Sequence, residues 1–178
     1  SSHHQPADAD LEAVMALTTA AAIRDRIAVL IEAITPDVLA ADPFLRHRDE
    51  GDFRAWVDAN PAASLRRFQV RAMTGREEVI GSTGTYERIR REFDVLVAYP
   101  VDNRSRATYE GGALASTDDL IESDFRQLEY SVGQRGNSIG TYQDIATVAA
   151  TSEDYDPAGA PVRVARKTLV IEFTRSLP

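Results

Sequence analysis

The chain has 178 residues, 43% of them hydrophobic and 27% charged, which is the composition of a folded globular protein long enough to bury a core. It contains no cysteine, and this excludes disulfides, thiolate metal sites and cysteine nucleophiles. The formal net charge of −8 argues against a protein that reads nucleic-acid sequence, because such proteins present a basic face.

The length and the pattern predict one α+β domain over residues 18–178, preceded by a flexible arm at residues 1–17. No apolar run approaches the roughly 20 residues of a membrane helix, and the first residues lack the layout of a signal peptide. We therefore predict neither export nor membrane insertion. All basic residues except Lys167 are arginines, which indicates either a coding bias or a use of arginine in contacts between subunits.

A first helix is predicted over Thr19–Ile34, with Thr18 or Thr19 as its N-cap. Pro36 ends it, because a residue before proline is pushed out of the helical region. The apolar residues at helical spacing should face a sheet, and they are Ile23, Ile27, Leu30, Ile31 and Ile34.

The next segment, Asp37–Ala63, has a weaker pattern and is predicted to be an insertion in the domain. Within it, Asp52–Ala59 favours a short helix, whose Trp56 we expect to pack in or near the interior rather than to anchor a partner. His47 stands beside Asp49 in a polar stretch. We predict a surface histidine there and not a general base.

Two strands are predicted to follow as an antiparallel pair. Leu65–Met73 alternates apolar and polar residues, and Thr85–Pro100 shows the clearest alternation in the chain. Between them, Thr74–Gly84 carries three glycines and is predicted to be a long loop or an extended hairpin tip.

The second half of the chain begins with a long connection at Val101–Ser116 and a helix at Ser116–Gly133 that has an apolar stripe and a glycine C-cap. A strand is predicted within Thr141–Ala150, a turn-rich connector at Ser152–Pro161 and a closing strand at Val162–Arg175. These elements predict an α+β fold in the order α-β-β-α-β-β. Its mainly antiparallel four-stranded sheet would have two helices packed on one face and long loops.

No motif in the sequence predicts catalysis, a cofactor or a metal. Ser138 lies in a Gly-x-Ser-x-Gly match at Gly136–Gly140, but a nucleophile elbow needs a strand before it, a helix after it and a later histidine. The glycines of Gly75–Gly84 lack the Lys-Ser or Lys-Thr of a phosphate loop. The acidic run Glu153–Asp156 lacks the alternation and central glycine of a calcium loop.

The most suggestive polar feature is a set of arginines on the first strand pair and in the loop that follows. If the two strands pair, several of these arginines gather near one sheet surface, where acidic groups of a neighbouring subunit would bind them. The alternative is a solvated sheet face with Glu87 and Glu92 as local partners. The candidate contact residues are Arg67, Arg71, Arg88, Arg90, Arg91, Arg104 and Arg106.

Four segments, taken in order, resemble the tail terminator or tail-completion proteins of long-tailed bacteriophages. They are IRDRIAVLIEAI, REFDVLVAYP, DLIESDFRQLEYSV and RKTLVIEFTR, and the similarity in layout covers Ile23–Arg175. The long segment Asp37–Ala63 departs from the compact pattern of that family.

The resemblance implies a virion protein of the tail and neck, assembled in the host cytoplasm, that forms a homohexameric ring on the tail tube. Such a ring ends tube polymerisation and provides the surface on which the DNA-filled head docks. Its partners would be copies of itself, the tail tube protein and the head connector or completion protein, with DNA passing through an acidic lumen without sequence-specific binding. The sequence leaves open a head-completion or stopper protein, a tail tube subunit or, from another class, a small ligand-binding or hydrolytic α+β domain.

Overall fold

A computed structural model of the chain describes residues 19–48, 52–101, 117–134, 146–147, 151–155 and 161–177. The arm predicted at residues 1–17 lies outside this part of the chain, as do residues 102–116. The described residues form one sheet that packs against helices, which confirms the α+β class.

The described residues contain three α-helices, which are α1 (Ala20–Glu32), α2 (Phe53–Ala59) and α3 (Thr117–Gly133). Thr19 is the N-cap of α1, and its side chain accepts a hydrogen bond from the backbone N–H of Ala22 at 3.1 Å. Asp52 caps α2 in the same manner. The two long predicted helices and the short one are thereby confirmed.

The sheet has six strands in the part of the chain that the structure describes. They are β1 (Leu45–Arg46), β2 (Arg67–Ser82), β3 (Tyr86–Pro100), β4 (Ala146–Thr147), β5 (Thr151–Tyr155) and β6 (Val162–Ser176). The order is β1-β2-β3-β6, and both β4 and β5 pair with the far side of β6. The sheet is mixed, because β1 runs parallel to β2 whereas every other pair is antiparallel.

The observed order of elements differs from the predicted one. Both β1 and α2 come before the first long strand, and β5 lies in the segment that was expected to be a turn-rich connector. A strand of two residues is too short to show an alternation, and the polar sequence of β5 becomes a strand through its pairing with β6. Of the strand predicted within Thr141–Ala150, the described residues include only β4.

β2 is much longer than predicted, because it continues through most of the expected connection to Ser82. Gly75 and Gly81 lie at irregularities within the strand and do not end it, whereas Gly84 lies between β2 and β3. Ala72 pairs with Phe93 and Glu77 with Arg91, so the four residues between Ala72 and Glu77 bulge opposite a single residue of β3. Gly75 lies in this bulge at φ +75°, a conformation that glycine adopts without strain.

The main core lies between one face of the sheet and the helices α1 and α3. Buried residues of both helices form one cluster with the odd-numbered apolar residues of β3. The strand residues in it include Ile89, Phe93, Val95, Val97 and Tyr99, as the alternation predicted.

A second, smaller core covers the opposite face of the sheet. Leu96 and Ala98, which alternate with the residues of the main core, pack with Val162 and Val164 of β6 and with Phe53 and Val57 of α2. The expectation of only two helices packed on one face is therefore not confirmed, since a third helix lies on the other face. The sequence signal for it was the loss of polar residues from this face at positions 96 and 98.

The prediction that His47 is a surface residue is wrong. The side chain is buried, and its ring lies 5.7 Å from the ring of Phe53 and 6.1 Å from that of Trp56, measured between centroids. Trp56 itself packs against the second core, which confirms its predicted packing role. Within the described residues neither ring nitrogen of His47 has a hydrogen-bond partner.

Candidate subunit interface

Of the arginines predicted to form a contact, the structure places Arg67 and Arg71 on β2 and three on β3, and those of β3 lie at one end of the sheet. We call this region the charged end and define it as Thr74–Ser82 of β2, Tyr86–Glu92 of β3 and Ile171–Ser176 of β6. Residues that pair across strands share a face, and successive residues alternate between faces. Even-numbered residues of β3 therefore lie on one face of the charged end and odd-numbered residues on the other.

On the even face, a carboxylate of β6 holds two arginines of β3. Glu172 accepts a hydrogen bond from Arg90 at 2.7 Å and one from Arg88 at 3.4 Å. Its side chain is only 10% exposed, whereas both arginine side chains are about half exposed. Glu78 of β2 lies 3.8 Å from Arg90 on its other side. This face thus presents guanidinium groups to solvent above a nearly buried carboxylate.

On the odd face, two glutamates alternate with two arginines. Glu77 accepts hydrogen bonds from Arg91 at 2.9 Å and from Arg175 at 2.8 Å, and Glu87 accepts one from Arg175 at 3.1 Å. The hydrogen bond to Glu87 raises the pKa of Arg175, and Glu77 adds to that effect. Both faces of the charged end therefore carry complementary charges.

The expected local partners take different roles. Glu87 pairs with Arg175, and Glu92 lies 3.8 Å from Arg76, a residue that the sequence interpretation did not single out. The main partner of Arg88 and Arg90 is Glu172, which comes from a strand about 80 residues later in the chain. This pairing could not be predicted, because it depends on the register of β3 and β6, which no local pattern contains.

The charged end is electrically neutral in a chain of net charge −8. It contains five arginines and five glutamates, which are Arg76, Arg88, Arg90, Arg91, Arg175, Glu77, Glu78, Glu87, Glu92 and Glu172. Along β2 the residues Thr74–Val79 are all exposed, and Val79 keeps 52% of its surface accessible.

β2 also forms an edge of the sheet beside the charged end. In the described ranges β1 pairs only with Arg67 and Phe68, so β2 has no second partner strand from Gln69 onward. This edge is charged, and the bulge between Ala72 and Glu77 interrupts it; both features hinder the addition of another strand. A partner at this end would therefore contact side chains rather than extend the sheet.

The remaining predicted contact residues are placed differently. Arg67 and Arg71 lie on the same face as Arg88 and Arg90, whereas Arg91 lies on the opposite face. The guanidinium carbon of Arg67 is 4.1 Å from the centre of the Trp56 ring, and Nε of Arg71 donates a hydrogen bond to the side chain of Gln69. Arg104 and Arg106 lie outside the described residues.

A buried ion pair that the sequence interpretation missed joins the sheet to α3. Nε and Nη2 of Arg66 donate to the two carboxylate oxygens of Asp124 at 2.8 and 2.9 Å, and both side chains are fully buried. The hydroxyl of Tyr99 also donates to Asp124, at 2.9 Å. The other donors of Arg66 bind the backbone carbonyls of Val38, Leu39 and Asp42. All five N–H groups of the guanidinium are therefore satisfied.

Two signals in the sequence could have revealed this pair. Arg66 has the same strand parity as the buried Phe68, and alternation extended back from Phe68 would place its side chain on the apolar face rather than among surface arginines. Asp124 is four residues from Leu120 and from Leu128, in the middle of the apolar stripe of α3. A basic and an acidic residue that each interrupt an apolar pattern are candidates for a buried pair, because either charge alone would be costly to bury. Burial raises the pKa of Asp124, whereas Arg66 and Tyr99 act in the opposite direction.

Lys167 of β6 is also buried, and its side chain lies beneath α3. The residue is only 4% exposed, its ammonium group pairs with Glu129, and it lies 5.9 Å from the centre of the Phe125 ring. Burial lowers the pKa of Lys167. The lysine thus joins β6 to α3 at a second place.

The part of the chain described by the structure contains no group of three or more His, Cys, Asp or Glu side chains arranged to hold a metal ion. Its helices include none that is both long enough and apolar enough to cross a membrane. Comparisons with protein-family models and with curated proteins find no match to this chain. Its function must therefore be inferred from the geometry of the charged end and from the order of its elements.

Proposed function

We propose that this protein is a ring-forming structural subunit of a virion and that the charged end is its contact with neighbouring copies. The observation that carries the proposal is the charge balance of this region. Copies of a chain with net charge −8 repel one another, so a neutral region with equal numbers of both signs is where they approach with least repulsion. Complementary charges in such a region also select the partner and its orientation.

The arrangement of these charges favours a ring over a closed pair. Each face of the charged end has its own set of arginines and glutamates, centred on Glu172 on one face and on Glu77 on the other. One face of the charged end can then contact a surface of the next copy that is not the same face of its own charged end. Contacts of this head-to-tail kind generate rings when the rotation between copies closes.

Within this class, the candidate is the tail terminator of a long-tailed bacteriophage, which four segments of the sequence resemble. The mechanism would be geometric, since one face of the ring would match the last ring of the tail tube and the other would match the head. An acidic wall would let DNA pass, because phosphates are repelled from it. A head-completion or stopper protein would use a similar ring, and it would bind the head connector rather than the ends of tubes.

Light scattering and negative-stain electron microscopy of the purified full chain test this function. We expect rings, or a subunit that assembles into rings at the ends of tubes made from the tail tube protein of the same phage, and we expect those tubes to stop growing. A chain that stays monomeric at high concentration and leaves tube growth unchanged would refute the proposal.

Charge reversal at an exposed arginine of the charged end should weaken ring formation far more than folding. We choose Arg76→Glu, because the side chain of Arg76 is 67% exposed and its guanidinium group lies 3.8 Å from its partner Glu92. Exposed ion pairs contribute about 1 kcal/mol or less to folding, so the free energy of unfolding should change little. The dissociation constant between subunits should rise by more than about tenfold, measured by analytical ultracentrifugation.

Arg126→Glu is the matched control, because Arg126 is 79% exposed on α3 and the substitution makes the same charge change per site. Arg88, Arg90 and Arg91 are avoided, since reversal there would place a carboxylate against Glu172 or Glu77 within the fold. Equal losses of assembly and of stability in Arg76→Glu would mean that this arginine serves the fold and not the contact.

A further inference from the structure

A polar cavity of about 370 Å3 lies between α1 and the edge of the sheet at β1. Its wall includes Arg24 and Asp25 of α1, Arg46 of β1, Arg48 just after it, and Gln69 of β2. His47 also contributes to the wall, and its ring packs against Phe53 and Trp56. The cavity shares no residue with the charged end, and its volume is in the range of small-ligand sites.

Three arginines at this cavity pair with only two carboxylates. Nη2 of Arg46 donates to Oδ1 of Asp25 at 2.6 Å, and Nε of Arg24 donates to the same oxygen at 3.3 Å. Arg48 donates to Glu32 at 3.5 Å, and Glu32 lies about two helical turns after Asp25 on α1. The hydrogen bond from Arg46 lowers the pKa of Asp25, so this carboxylate is ionised at neutral pH.

The cavity therefore has unused capacity for an anion. Each guanidinium has five N–H donors, and among the described residues each of these three arginines uses one of them on a carboxylate. Three positive charges face two negative ones, in a chain that is acidic overall. The side chain of Arg46 is only 19% exposed, so it is held in place where an entering oxyanion would meet it.

We propose that this cavity binds a small hydrophilic ligand through an oxyanion group, either a phosphate or a carboxylate. Arg46 and Arg24 would bind the oxyanion, and Arg48 at the rim would add its charge. Asp25 competes with the ligand for the first two guanidinium groups. This site is independent of ring formation, and it goes beyond the proposed structural role by giving the subunit a ligand.

Titration calorimetry of the full chain with inorganic phosphate, and separately with citrate, tests the proposal through two substitutions of opposite sign. Arg46→Gln should weaken binding by about tenfold or more, because it removes charge-assisted hydrogen bonds. Asp25→Asn should tighten binding by about threefold or more, because it releases Arg46 and Arg24 for the anion. A residue with only a structural role would not produce the second effect.

Arg126→Gln is the control for the loss of one positive charge, and its affinity should equal that of the wild type. Arg24→Gln provides a second test if Arg46→Gln lowers the melting temperature. Binding of phosphate alone or of citrate alone would identify the oxyanion, and either result supports the site. The proposal is overturned if neither anion binds saturably up to about 10 mM, if Arg126→Gln weakens binding as much as Arg46→Gln, or if Asp25→Asn fails to tighten it.

Discussion

Replacing Arg66 by methionine should lower the free energy of unfolding by about 3–5 kcal/mol, because it leaves a buried carboxylate without its partner. Asp124 would keep only the hydroxyl of Tyr99, and three backbone carbonyls would lose their donors. Urea denaturation near neutral pH measures this loss. A loss below about 1 kcal/mol would show that water or another group solvates Asp124.

The loss in Arg66→Met should depend on pH in a defined direction. Burial, no longer opposed by the arginine, raises the folded-state pKa of Asp124 above its unfolded value. The part of the loss that comes from the buried charge is therefore absent at pH values below the unfolded pKa and grows as the pH rises through the folded pKa, whereas the part that comes from the three carbonyls remains at every pH. The double variant Arg66→Met with Asp124→Leu should be more stable near neutral pH than Arg66→Met alone, because it removes the buried charge.

Replacing Phe173 by alanine should cost about 3–5 kcal/mol of unfolding free energy, because it opens a cavity in the main core. Phe173 pairs across the sheet with Ile89, and Ile89 pairs with Val79, so the three side chains form one row on the odd face. Exposure falls along the row from 52% at Val79 to 0% at Ile89 and 2% at Phe173. Chemical denaturation of the purified variants measures the effect.

Val79→Ala is the matched control, since it shortens a side chain in the same row but on the exposed edge. Its effect should stay within about 0.5 kcal/mol, as is usual for surface substitutions. Similar losses at both positions would mean that Val79 is covered in the native protein. In that case the exposed surface proposed for subunit contact would be smaller than described.

The parts of the fold that follow from strong periodic patterns were predictable. β3 and β6 alternate over 15 residues each, and the side chains expected inside are buried. α1 begins at a capping threonine, and α3 ends at a glycine as predicted. The signal for such an element lies within its own residues, because its apolar face must be buried wherever the other elements lie.

The elements that depend on partners were not predictable. β1 and β5 are strands because of the neighbour that each one pairs with, and β2 continues through Gly75 and Gly81 because β3 supplies a ladder beside it. His47 reads as polar and exposed in its local sequence, yet α2 covers it. A pattern in the sequence shows only the local preference of the chain, and tertiary contacts can override that preference.

The candidate contact surface was partly predictable. Strand pairing places Arg67 and Arg71 of β2 on the same face as Arg88 and Arg90 of β3, and alternation places Arg91 on the opposite face. The pairing with Glu172 and Arg175 required the register of β6, which no local pattern contains. The cavity beside Arg46 depends on where α1 crosses the edge of the sheet, so no sequence pattern indicates it.

The burial of Lys167 has a practical consequence for mapping any assembly that this chain forms. It is the only lysine in the sequence, and its amine is shielded by α3 and paired with Glu129. Amine-reactive cross-linkers will therefore find no exposed lysine on the native subunit, and they cannot join neighbouring copies through lysine side chains. Conversely, acylation of Lys167 would report loosening of α3 from the sheet, so one mass-spectrometric peak would monitor the integrity of the fold.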